Sequence, residues 1–64
     1  MNYVTRKLID LILAEYYKGD SEQCTVFYLT HKLDDETIKD VEDTFAKFGY
    51  DMAKGVFLNE VFNK

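Results

Sequence analysis

The chain has 64 residues, room for one small domain spanning 1–64. It is 47% hydrophobic and 16% aromatic, too apolar for native disorder, and its single cysteine excludes a disulfide-stapled scaffold. The formal net charge is −4, and the longest apolar runs are as short as Leu11–Ala14, so a soluble cytoplasmic protein with no membrane-spanning helix and no signal-peptide core is expected.

Residues 3 to 17 read as the first helix. Val4, Leu8, Ile9, Leu11, Ile12, Leu13 and Tyr16 spread over an arc of roughly 200°, whereas a helix facing one layer needs only about 100°. Glu15 interrupts one edge of the arc, which places Val4, Leu8 and Leu11 toward the core and leaves Ile9, Leu13 and Tyr16 for contact with a second copy. Gly19 supplies a stop, and Asp20 to Gln23 read as a polar loop.

Cys24 to Thr30 is rich in β-branched and aromatic residues and predicts a strand apolar on both faces. The second helix has a start, a face and an end that agree. Asp34 is the N-cap, Leu33 packs back on Ile38, and Ile38, Val41, Phe45 and Phe48 recur at spacings of three and four. Gly49 closes it, with Tyr50 placed for a Schellman-type contact to Phe45. Tyr50–Ala53 and Val56–Val61 predict two short strands joined at Lys54-Gly55; the alternative, a terminal helix over Val56–Phe62, is less favoured because valine and phenylalanine dominate around a central glycine. No repeat or linker is visible. The expected fold is α+β: order helix-strand-helix-strand-strand, a three-stranded sheet packed by two helices in two layers.

Charge is unevenly placed. Asp34 to Asp43 holds six acids and one lysine, a net of −5, while the remainder of the chain sums to +1. Asp34, Asp35 and Glu36 sit where the helix dipole favours anions, and Asp35, Lys39, Asp43 and Lys47 alternate in sign at i,i+4 spacing. Those two features describe an ordinary solvated face, but Asp40 and Glu42 have neither reason. The acidic residues Asp35, Glu36, Asp40 and Glu42 are therefore the candidate surface for a basic partner.

Catalytic chemistry finds no support. Cys24 and His31 are seven apart, which on one strand points them to opposite faces, and neither has a neighbouring activating group. One cysteine and one histidine do not make a zinc site, the acidic run lacks the pattern of a calcium loop, and Gly19, Gly49 and Gly55 are too dispersed to cradle a phosphate. No cofactor is expected. Direct nucleic-acid binding is disfavoured because a winged-helix arrangement would put the most acidic helix against the phosphates. Tyr3 and Tyr17 fall on the polar side of the first helix, a position equally suited to an interface and to water. The expected function is a small acidic protein-binding domain, regulatory or accessory and without catalysis, with homodimerisation as one mode. The alternatives are a nucleic-acid-mimicking inhibitor acting through the acidic helix and, more remotely, a small enzyme.

Overall fold

A computed structural model describes residues 1–63 and contains four helices: α1 (Tyr3–Tyr16), α2 (Ser21–Thr30), α3 (Asp35–Phe48) and α4 (Tyr50–Phe62). No strand occurs among the described residues, so the expected α+β sandwich and its three-stranded sheet are replaced by an all-helical architecture. Two compact units divide the chain, one over residues 1–32 and one from Leu33 onward.

In the first unit, α1 begins at Asn2, whose side-chain oxygen accepts the Thr5 N–H at 2.9 Å. Helix α1 ends one residue earlier than the sequence suggests, in a full Schellman arrangement. The Gly19 N–H donates to Ala14 at 2.7 Å and the Lys18 N–H to Glu15 at 3.2 Å. Lys18 itself takes the left-handed position, φ 55°, and Gly19 follows at φ 83°.

The expected strand over Cys24–Thr30 is a helix because its start lies in what reads as a loop. Asp20 caps α2 by accepting the N–H groups of Glu22 and Gln23 at 3.1 and 3.2 Å, and Glu22 puts a negative charge in the first turn. That nucleus carries the β-branched residues into helical geometry. The Thr25 and Thr30 hydroxyls are accommodated by donating to the carbonyls of Ser21 and Val26 four residues back. Phe27 is the one fully buried side chain of α2.

The second unit starts as the first does. Asp34 accepts the Thr37 N–H at 2.8 Å, the counterpart of Asn2 and Thr5, and both threonines are buried. Helix α3 has the bounds that its cap and its glycine imply. Gly49, at φ 90° and ψ −169°, both ends α3 and precedes α4. Tyr50 consequently opens a new helix.

Helix α4 replaces the expected hairpin over Tyr50–Val61. Ala53 and Phe57 are fully buried and Tyr50, Glu60 and Val61 half-buried, all on one face at helical spacing, against α3. Gly55 lies in mid-helix on the opposite, exposed side. A Cβ built there meets nothing within 4 Å. Gly55→Ala should therefore raise stability by roughly 0.5–1 kcal/mol, by removing backbone freedom from the unfolded chain. Urea unfolding checks this, and a lower midpoint would contradict a helical Gly55.

Candidate functional site

Three side chains tie α1 to α2. The Tyr28 hydroxyl donates to Asp10 Oδ1 at 2.5 Å, and Arg6 Nε donates to the same oxygen at 3.2 Å. The Arg6 guanidinium also lies over the Tyr28 ring, 4.0 Å from its centroid. Arg6 and Asp10 are one helical turn apart on α1, so the pair presents a fixed acceptor to the opposite helix. Burial pushes the Tyr28 hydroxyl far above the ordinary phenol value, and its bond to Asp10 adds to this. A phenol held protonated in this way is kept as a hydrogen-bond donor to Asp10.

Cys24 and His31 both belong to the α2 segment, and their separation is helical. Seven residues at helical rise set them about 10 Å apart along the axis, beyond hydrogen-bond reach. His31 stacks on Phe27 with ring centroids 4.4 Å apart, and its Nδ1 lies 3.2 Å from the Thr30 hydroxyl. Cys24 is half-buried beside Tyr17, whose hydroxyl is raised chiefly by burial. The two share no catalytic geometry. Among the described residues, no group of three or more His, Cys, Asp or Glu side chains is placed to hold a metal ion.

On α1, the structure reverses the expected orientation. Ile9 and Leu13 are fully buried inside the chain, together with Leu8, Ile12 and Thr5. Only Leu8 of the edge assigned to the core goes inward; Val4 and Leu11 remain 63% and 59% exposed. Tyr16 is exposed and meets the Tyr17 ring edge-on at 5.0 Å. Of the three residues expected at a contact with a second copy, Ile9 and Leu13 are thus covered within the chain and Tyr16 alone is exposed.

The acidic candidates share α3. Asp35, Glu36 and Asp40 are exposed, as is Asp43, while Glu42 is half-buried. Among the described residues, neither Asp35 with Lys39 nor Asp43 with Lys47 forms an ion pair, so the alternating ladder does not close. Asp40 has a neighbour that the sequence does not reveal. Glu60, from the inward face of α4, approaches Asp40, Thr37 and Glu36. Burial raises the Glu60 carboxyl above its usual value, hydrogen bonding with Asp40 and the charges of Asp40 and Glu36 add to the rise, and Thr37 acts against it.

A raised carboxyl binds its proton more tightly folded than unfolded. The stability it contributes is present below the unfolded value and is lost as pH rises through the folded one. Glu60→Gln should accordingly stabilise the protein at neutral pH, with an advantage over wild type that shrinks on acidification. Thermal unfolding of both proteins across that range checks it; a variant less stable than wild type at neutral pH would contradict the electrostatic account.

No helix of the described residues is long and apolar enough to cross a membrane. Comparison with family models, curated proteins and solved structures gave no match.

Proposed function

We propose that the protein is a binding module without catalysis, whose α3 face receives a basic surface of a partner protein. The observation that carries this reading is the unneutralised row of Asp35, Glu36, Asp40 and Asp43, exposed on one helix whose lysines close no i,i+4 pair with it. Exposed carboxylates in a row raise the local concentration of a cationic partner and set its orientation, and they do so in a salt-dependent manner. Phosphate backbones are repelled by the same field, so a direct nucleic-acid ligand is disfavoured.

The test uses capture from lysate. Wild-type protein should retain a basic partner whose release steepens with added salt, and the triple variant Asp35→Asn, Glu36→Gln, Asp43→Asn should retain far less of it. These three positions leave the Asp34 cap and the Asp40–Glu60 approach in place. Retention that is indifferent both to salt and to the triple substitution would sink the proposal.

A further inference from the structure

The corner between α1 and α2 is strained, and the helices on either side of it are in phase. Lys18 stands at φ 55° and Gly19 at φ 83°, two consecutive left-handed positions of which only the second is a glycine. A residue with a Cβ is disfavoured there because the Cβ crowds the following carbonyl oxygen. The corner is also short, running from Tyr17 to Asp20. Short connections under strain are the ones that open and let two copies exchange an element.

Carrying the helical repeat of α1 through this corner into α2 brings Ile9, Ile12, Leu13, Tyr16, Phe27 and His31 within an arc of about 100°. Ile9, Ile12, Leu13 and Phe27 are fully buried in the closed hairpin. Asp20 and Gln23 interrupt the stripe near its middle only. A single helix from Tyr3 to Thr30 therefore carries one apolar side along its length. Its backbone is satisfied as well. The N–H groups of Glu22 and Gln23, which Asp20 accepts in the hairpin, come within reach of the carbonyls of Lys18 and Gly19 four residues back. The same continuation through Gly49 sets Val41 and Phe57 about 160° apart, so α3 and α4 have no such alternative.

We infer that the α1–α2 hairpin is a swap hinge: two copies open at Lys18 and Gly19 and pair antiparallel, α1 of each against α2 of the other. The contacts exchanged are those that one chain already makes. In an antiparallel pair related by a two-fold axis, each flank of one helix faces the same flank of its mate. The second copy's Tyr28 thus lies level with Asp10 and Arg6, on the side where the closed hairpin forms that tie. Charge does not oppose the approach, because Arg6, Lys7, Lys18 and Lys32 balance Asp10, Glu15, Asp20 and Glu22 within residues 1–32. Opening also relieves the backbone of Lys18 in both chains.

Full-length protein heated and cooled at millimolar concentration should sediment as a dimer beside the monomer. Gly19→Ala should tighten that dimer about a hundredfold, tenfold for each of its two corners, since alanine is disfavoured at φ 83° and preferred to glycine within a helix. Lys18→Gly should loosen it by a similar factor, for the converse reasons. A dimer formed between the surfaces of closed hairpins responds to neither substitution. Spin labels at the exposed positions Lys7→Cys and Leu29→Cys, in a Cys24→Ser background diluted with unlabelled protein, read the distance within one chain. An open helix sets these two positions about 33 Å apart, whereas the closed hairpin holds them within about 20 Å. A dimer that keeps the short distance overturns the inference. So does annealed protein in which wild type and Gly19→Ala both remain monomeric, or a dimer that the two corner substitutions leave unchanged or shift in the same direction.

Discussion

Phe57→Ala should come close to abolishing cooperative folding. Phe57 is fully buried in the face that α4 turns to α3, and its ring centroid lies 6.3 Å from that of Phe62. Truncating a buried phenylalanine costs about 3–5 kcal/mol, from lost transfer free energy and the cavity left behind. A domain of this length has a total stability on the order of 3–10 kcal/mol. The midpoint should therefore fall by more than about 12 °C, since each kcal/mol moves a small domain by several degrees. Circular dichroism on heating gives the answer. A shift of only a few degrees would mean that α4 packs through another face, and in particular that Phe57 alternates with its neighbours as it would in a strand.

Gly49→Ala should be the most damaging change at any exposed or half-exposed backbone position described. With φ 90° and ψ −169°, Gly49 occupies a region that side-chain-bearing residues essentially never adopt. A Cβ built at that position meets nothing within 4 Å, so the loss is conformational and no clash contributes. An alanine should cost about 1–3 kcal/mol, whereas the same substitution at Gly55 works in the opposite direction. Urea titration of the two variants side by side tests the pair. Equal effects at the two glycines would remove the special role of the corner.

The helices that are capped and amphipathic within their own sequence, α1 and α3, were legible, including Asp34 as cap and Gly49 as stop. Helices α2 and α4 were not, because residue preference pointed one way and packing the other. Val26, Phe27 and Tyr28 favour strands by composition, yet Asp20 with Gln23 three residues on is a helix-start pattern sitting in an apparent loop. In α4, a glycine between valine- and phenylalanine-containing stretches resembles a hairpin turn, whereas Tyr50, Ala53, Phe57 and Val61 keep a helical period that runs straight through Gly55.

The candidate surface follows the same division. The carboxylates of α3 lie on a helix whose bounds its own cap and glycine define, with Asp35, Glu36 and Asp40 exposed and Glu42 half-buried. Glu60 escaped notice because its approach to Asp40 exists only once α4 is helical, and the Tyr28–Asp10–Arg6 tie likewise needs α2 to be a helix. The exchange of faces on α1 has the same origin. Glu15 marked one edge of a broad arc as the interior boundary, but the side of the helix that is buried depends on neighbours that were taken to be strands.

The pairing of helices with their chain neighbours also governs how quickly the protein assembles. Helix α1 packs on α2 across the short connection from Tyr17 to Asp20, and α3 packs on α4 across Gly49 alone. Closing so small a loop takes about 10–100 ns, and a helix of this length forms within about a microsecond. Strand pairing between distant segments, the slow step of the sheet that composition suggested, has no counterpart in either hairpin. Folding should then finish in microseconds to milliseconds. A nascent chain exposing Phe27 and Phe57 would hide them again before most encounters with another unfolded copy, so the speed of local assembly itself guards an aromatic-rich sequence against aggregation.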